Sequence, residues 1–219
     1  MDRLSCRYRL RRWFAMAALG VLATGAGCQT GLFTAMYLIN GTDVKPEFEG
    51  LKGKKVVVVC RATSELEFAN VAVADELAAV VGRLLGERVK RIHMISAREV
   101  ERWSDENEWE EFTEVGEALD AEMVVGLDLD QFGIYQGQTV YQGTAIVGIH
   151  VYDMSRDGAQ VYSSTPPQTR WPPNSVEPVG NKLPAQFRKE FIGVLANEIG
   201  RHFYPHDPAQ DFARDADAL

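Results

Sequence analysis

The clearest hydrophobic signal in the chain is the run VVVVC at residues 56–60. An unbroken run of mainly β-branched residues predicts a short strand with both faces covered. Apolar residues then recur every three or four positions from 71 to 85, after a candidate helix cap at Asn70. This spacing predicts an amphipathic helix, which Gly86 should end.

The next segment combines one strand pattern with two helix patterns. Alternation at residues 89–95 predicts a second strand. Ser96 and Glu99 have the spacing of a capping box, so a helix should begin there and continue to about residue 103. Residues 108–119 are predicted to form a third helix.

A third strand is predicted at residues 121–132, where apolar and polar residues alternate. Its apolar side chains should face one way, and Asp128 and Asp130 should share the opposite face. A turn or bulge is expected at residues 133–138.

The pattern then predicts a long strand at residues 139–154, a hairpin turn at 155–158 and a returning strand at 159–164. Gly143 and Gly148 lie inside the long strand. Interior glycines indicate bulges or bending of a strand.

The last part of the chain begins with a long loop at residues 165–184, which holds six of the nine prolines. Helical spacing returns at residues 185–204, and Pro205 should stop that helix. Residues 205–219 are predicted to form a flexible, acidic tail.

The element order β-α-β-α-α-β-β-β-α predicts an α/β fold with a single mixed sheet and helices packed on it. Helices separate the first three strands, so right-handed crossovers should make those strands parallel. Short turns join the last three strands, so these should be antiparallel.

The N-terminal residues have the composition of an export signal. Residues 1–12 hold five arginines, residues 13–23 are uncharged and mostly apolar, and small residues follow up to Gly27. This order is typical of a secretory signal peptide. The apolar run is shorter than the roughly 20 residues of a membrane span, so an uncleaved anchor is the weaker alternative. Arg11 and Arg12 faintly resemble a twin-arginine signal.

Cys28 directly follows Gly27, and this junction resembles the lipid-attachment site of bacterial lipoproteins. The resemblance implies that Cys28 is acylated and becomes the mature N-terminus, which anchors the chain to a membrane. Gly25 stands where that family usually has Leu, so cleavage without lipidation stays an alternative. Gln29 favours the outer membrane over the inner membrane by resemblance to the enterobacterial sorting rule.

The predicted organisation is a signal peptide at 1–27, a lipidated N-terminus and tether at 28–53, an α/β domain at 54–204 and a tail at 205–219. Without residues 1–27, which hold five of the 23 basic and one of the 31 acidic residues, 18 basic and 30 acidic residues remain. This net charge near −12 disfavours nucleic acid and anionic lipid as partners. Membrane contact is therefore expected from the lipid on Cys28.

The chain contains no Walker loop, G-x-S-x-G, H-E-x-x-H or C-x-x-C motif, so no catalytic residue is predicted. Asp128 and Asp130 are residue types that perform acid–base work. Together with His150 they define the alternative function, an exported hydrolase with a dispersed catalytic site. Surface exposure or ion pairing is the plainer interpretation of both carboxylates, and His93 and His150 are expected to be partly buried structural residues.

No metal and no cofactor is predicted. His202 and His206 have the spacing of a zinc-binding pair, but Pro205 interrupts the helix between them. Cys60 is interpreted as a small core residue without a disulfide partner. Eleven acidic residues between positions 99 and 122 are interpreted as a solvated surface rather than a cation site or docking face.

The pattern also resembles a group of envelope lipoproteins, the penicillin-binding-protein activators and the curli secretion-channel lipoprotein. The matching segments are residues 56–60, 95–102 (ISAREVER), 115–126 (VGEALDAEMVVG) and 151–158 (VYDMSRDG), within a region of about 54–204. The resemblance implies a protein that acts by binding and assembly rather than by catalysis.

The loop at 165–184 is the best interaction candidate, because long loops in compact domains are usually functional or disordered. Arg170 and Trp171 within it are residue types enriched in binding hot spots. Passive packing over the domain is the alternative. We therefore expect a non-enzymatic, membrane-anchored envelope lipoprotein that binds another envelope protein or assembles with itself, with its domain in the periplasm.

Overall fold

The computed structural model describes residues 44–62 and 67–207, which form a seven-stranded mixed sheet and four helices. Cys28 and the tail from residue 208 lie outside the described residues. So does the segment FTAMYLI at 33–39, an apolar leader within the predicted tether. None of the described helices is long and apolar enough to cross a membrane.

Strand β1 (Lys55–Ala62) lies inside the sheet. It pairs in parallel with β2 (His93–Met94) on one side and with β3 (Met123–Gln136) on the other. Alternate side chains of residues 56–60 enter two separate apolar clusters on opposite faces. All five residues are at most 6% exposed, which confirms the predicted strand with both faces covered.

The second half of the sheet is antiparallel. Strand β3 pairs with β4 (Val140–Asp153), and β4 pairs with β5 (Ala159–Ser164). The predicted α/β fold with one mixed sheet is therefore confirmed. The segment at 165–184 is not the structureless loop that was expected, because it contains β6 (Thr169–Trp171) and β7 (Glu177–Pro178), which both pair with β4.

Helices cover the sheet unequally. Helix α1 (Glu67–Arg88) and helix α4 (Pro184–Gly200) bury apolar side chains in the larger core on one face. Helices α2 (Ala97–Glu106) and α3 (Phe112–Ala118) cover the smaller core on the other face. The second pair is much shorter, so that face keeps half-buried polar positions.

Helix α1 runs past Gly86, where the sequence predicted its end. The residue has a packing role instead, since a Cβ at Gly86 would lie 3.3 Å from the Met94 side chain. The helical hydrogen bonding continues from the Val89 amide to the Leu85 carbonyl at 2.8 Å.

The chain then turns at Arg91, which has a φ of 59°. The strand predicted at 89–95 is consequently reduced to the two residues of β2. His93 is exposed on this short edge strand, so the prediction that it is partly buried was wrong.

The remaining helix boundaries differ from the predictions by a few residues. Ser96 caps α2 by accepting a hydrogen bond from the Glu99 amide at 3.3 Å, as the capping box predicted. Helix α3 begins four residues later than expected, because the Glu111 amide donates to the Glu114 carboxylate at 3.0 Å and caps the helix there.

Two bulges of opposite sense interrupt the pairing of β3 with β4. Asp130 is an extra residue on β3 between Leu129 and Gln131. Further along, an extra residue on β4 lies beside Gly143, as the interior glycine indicated. A Cβ at Gly143 would lie 2.5 Å from the Phe191 ring of α4, so this glycine also allows close packing.

The first described residues lie against the end of α4. Val44 forms a β-bridge with His206, and the Phe48 amide donates to the His202 carbonyl at 2.9 Å. The Tyr162 hydroxyl lies 2.6 Å from the Glu47 carboxylate, to which it donates. Burial and this hydrogen bond raise the pKa of Tyr162 to about 12, so the hydroxyl is protonated at neutral pH.

Because α4 packs closely on β4, adding a single methyl group at Gly143 should destabilise the domain. Gly143→Ala should lower the free energy of unfolding by about 1–3 kcal/mol, because the Phe191 ring occupies the space of the new Cβ. Urea denaturation measures this change. Gly180→Ala is the control, since no atom lies within 4 Å of its Cβ position, and it should change stability by less than about 0.5 kcal/mol. Equal midpoints for both variants would contradict the described packing.

Candidate functional site

Four polar side chains on neighbouring strands form a row across the face that carries the smaller core. The polar row consists of Arg61 on β1, Asp128 on β3, His150 on β4 and Ser163 on β5. Arg61 lies opposite Asp128, and His150 lies opposite Ser163, in the strand registers. Asp128 and His150 are diagonal neighbours, a separation that long side chains bridge.

The polar row is a continuous chain of polar contacts. The Arg61 guanidinium donates to Oδ1 of Asp128. Oδ2 of Asp128 lies 3.2 Å from Nε2 of His150, and Nδ1 of His150 lies 3.2 Å from Oγ of Ser163. The Asp128 and His150 side chains are 19% and 21% exposed, so water reaches this chain of contacts.

Neighbouring residues hold the polar row in place. The Arg61 guanidinium lies 4.6 Å from the centre of the Phe112 ring, and its hydrogen bond with Asp128 raises the pKa of Arg61. A Cβ at Gly148 would lie 3.2 Å from Nε2 of His150, so glycine leaves room for the contact between His150 and Asp128. The arrangement presents an ion pair joined to a histidine and a hydroxyl.

The structure brings together only part of the dispersed site that the sequence suggested. Asp128 and His150 are in contact, and His150 is half-buried as predicted. Asp130 is exposed at the bulge, where it has no partner residue on β4, so the two carboxylates do not form the expected pair on a regular strand face. Asp128 has the ion pair that the plainer interpretation predicted.

Sequence reasoning missed Ser163. Asp153 pairs with Ala159 at the hairpin, and a regular hairpin would therefore place Tyr162 opposite His150. A bulge between these positions shifts the register by one residue and places Ser163 there instead. The turn residues at 155–158 predicted the hairpin, but no feature of the sequence predicted the bulge.

The two predicted partner-binding residues lie in different environments. Trp171 is half-buried, with its ring 5.0 Å from the Phe187 ring and 5.7 Å from Nζ of Lys182. Arg170 is exposed and pairs through the backbone with Thr144. Trp171 therefore contributes to the packing of the domain, whereas Arg170 is accessible.

The proline-rich segment is fastened to β4. The buried side-chain amide of Gln142 donates to the carbonyls of Pro172 and Ser175 at 3.4 and 3.3 Å. A cavity of about 360 Å³ lies between residues 166–173 and α4, and both predicted binding residues line it. The segment thus wraps the domain and leaves this groove at its surface.

The remaining candidates have structural roles. His202 Nδ1 lies 2.7 Å from the Tyr162 hydroxyl, and His206 pairs through its backbone with Val44. In the part of the chain that the structure describes, no group of three or more His, Cys, Asp or Glu is placed to hold a metal ion. Cys60 is buried, and burial raises the pKa of its thiol, which fits a core residue.

The sequence matches no protein-family model and no curated protein. Solved structures with a similar fold include a PelC dodecamer from Paraburkholderia phytofirmans, with 13% identity, a TM-score of 0.45 and coverage of 73% of this chain and 93% of that chain. Lipoprotein GNA1162 from Neisseria meningitidis has 15% identity, a TM-score of 0.41 and coverage of 66% of this chain and 96% of that chain. These distant likenesses assign no family to the chain.

Proposed function

We propose that this chain is an envelope lipoprotein that is attached to a membrane through lipid on Cys28 and has a non-enzymatic binding or assembly role. The observation that carries the proposal is the Gly27–Cys28 junction, which ends a basic and then apolar export segment. The outer membrane is the proposed location, with the domain in the periplasm.

The charge of the chain supports anchoring by lipid. The 18 basic and 30 acidic residues after position 27 offer anionic headgroups little electrostatic attraction. Two or more acyl chains bind a bilayer stably, since each buried CH₂ contributes about 0.8 kcal/mol.

The proposed binding surface is the groove beside Arg170 and Trp171. Its rim combines an exposed guanidinium, a half-buried indole and the rigid prolines 166 and 167. Rigid segments lose less conformational entropy when they bind, and Arg and Trp are common binding anchors. The proposed occupant is another envelope protein or a second copy of this chain.

Membrane attachment is tested by Cys28→Ser. The variant should leave the membrane fraction and appear in the soluble fraction, because no acyl chain can be attached. Cys60→Ala is the control, since this buried residue plays no part in anchoring, and it should stay membrane-bound. If Cys28→Ser also stays bound, the apolar leader at 33–39 is the anchor and the proposal of lipid attachment is wrong.

The binding role is tested by crosslinking in intact membranes. Arg170→Ala should weaken capture of a discrete partner without loss of stability, because the side chain is exposed. Trp171→Ala should also weaken capture, but it removes packing against Phe187 and needs a parallel measurement of stability. The control is Lys189→Ala on α4, which is exposed and lies outside the groove lining. Unchanged capture by Arg170→Ala would remove this groove from the proposal.

The second candidate is an exported hydrolase, which the contacts from Ser163 through His150 to Asp128 favour. A histidine between a hydroxyl and a carboxylate can take up the hydroxyl proton while the carboxylate stabilises the imidazolium. If this function exists, the purified protein should hydrolyse 4-nitrophenyl acetate, and Ser163→Ala should abolish turnover. Asp130→Asn, outside the polar row, should have no effect. Absent turnover, or equal turnover by Ser163→Ala, would eliminate this candidate.

A further inference from the structure

Strand β1 has an outer edge that β2 covers only at its beginning. The pairing of β1 with β2 involves Lys55 and Val56 alone. Residues 57–62 continue β1 beyond this point, and no strand among residues 44–62 and 67–207 pairs with them on that side. The chain leaves the sheet after Ile95 to form α2.

The alternation of backbone directions along a strand shows which N–H and C=O groups of β1 point outward at this edge. The carbonyl of Val56 accepts from the Ile95 amide at 2.9 Å, so the backbone N–H and C=O groups of Val56 point towards β2. The carbonyl of Lys55 accepts from the Glu122 amide at 2.8 Å and points towards β3. Because successive residues of a strand alternate, the N–H and C=O groups of Val58 and Cys60 also point outward.

These outward groups lie in a depression rather than on an open surface. Val58 and Cys60 are each only 6% exposed. Backbone groups so far from bulk water are normally paired. A strand laid against this edge would supply the missing hydrogen bonds, as it does when a peptide extends a sheet.

The depression has room for such a strand. A cavity of about 550 Å³ lies along the β1 edge between α1 and α2, and a second of about 260 Å³ continues it towards β2. We call the two together the edge groove. Both cavities share Val58 at the floor, Ala78 and Ala79 on the α1 wall and Ala97 on the α2 wall. Small side chains on both walls allow another backbone to approach β1 closely.

The walls of the larger cavity, unlike those of the smaller one with its Arg83, are acidic. Asp75 and Glu76 line it from α1, and Glu101 and Asp105 line it from α2. The one cation among the described residues that line the larger cavity is Arg61, which Asp128 already pairs. Burial and the nearby Glu101 and Asp105 raise the pKa of Asp75, a sign of crowded negative charge.

We propose that the edge groove binds an extended, basic segment of a partner protein, which adds a strand to the outer edge of β1. Hydrogen bonds from Val58 and Cys60 hold the backbone of the segment. Its side chains alternate between the α1 wall and the α2 wall, so Lys or Arg on either side of the larger cavity meets carboxylates. The chain's own residues 208–219 hold three acids and one base and therefore do not fit the groove.

This inference deepens the proposed binding role by naming the chemistry of a partner, and it rests on that role. It is independent of Cys28 and of the groove beside Arg170. Failure of membrane attachment would leave it intact, and the experiment below does not measure attachment.

The test uses the full-length protein in detergent and a short fluorescent peptide of alternating Lys and Val. The peptide should bind, and added salt should weaken binding because exposed charges are screened. The same peptide with N-methyl groups on alternate amides has the same charge and side chains but cannot donate to β1. It should bind at least about tenfold more weakly, a loss of about 1.4 kcal/mol.

Charge reversal on α2 provides a matched pair of variants. Glu101→Lys combined with Asp105→Lys should weaken peptide binding by about tenfold or more, because both residues line the groove and are exposed. Glu99→Lys combined with Glu106→Lys makes the same charge change on the same helix outside the groove lining. This second variant should bind nearly as well as the unmodified protein.

Amide hydrogen exchange locates the bound peptide. Bound peptide should slow exchange at Val58 and Cys60, whose amides point into the groove. No binding, binding without this protection, or equal binding of the N-methylated peptide would overturn the proposal. Equal weakening by both charge-reversal variants would also overturn it, since general attraction would then explain binding. Protection that grows with protein concentration without peptide would identify a second copy as the occupant and overturn the proposed basic partner.

Discussion

The structure depends on the burial of β1 from both faces. The five residues 56–60 have no polar side chain besides the thiol of Cys60, so two helical layers must cover them. The right-handed crossovers that place β2 and β3 beside β1 also place α1 on one face and α2 with α3 on the other. Two of the three candidate surfaces follow from this strand, because the polar row starts where β1 leaves its cover and the edge groove lies where β2 stops.

The helices that cover the two faces of the sheet differ in length, and this difference determines where polar side chains can lie. Helices α1 and α4 are long and cover an extended apolar face, whereas α2 and α3 cover only the beginning of the opposite face. Beyond Phe112 that face is half-exposed, and it carries charged and hydroxyl side chains instead of apolar ones. A carboxylate such as Asp128 can lie there because it pairs with Arg61 and is only partly buried.

Hydrophobic periodicity was sufficient to predict the order of elements as far as β5, the mixed sheet and the double cover of β1, since each follows from local pattern and chain connectivity. It failed where nonlocal contacts decide. Gly86 lies inside α1, where its lack of a side chain leaves room for Met94, and the segment at 165–184 forms strands because β4 offers it an edge. The polar row depends on the bulge beside Tyr162, which places Ser163 opposite His150, and a bulge leaves little trace in the alternation of a single sequence.

The first described residues of the chain lie on the opposite side of the sheet from the edge groove. Val44 and Phe48 are fastened beside the end of α4, and Glu47 is bonded to Tyr162 of β5. The edge groove borders β1, and the sheet order separates β1 from β5 by β3 and β4. Neighbouring strands lie about 4.8 Å apart, so β1 and β5 lie on the order of 14 Å from each other across the sheet. The first described residues therefore lie beside β5 and leave the outer edge of β1 uncovered.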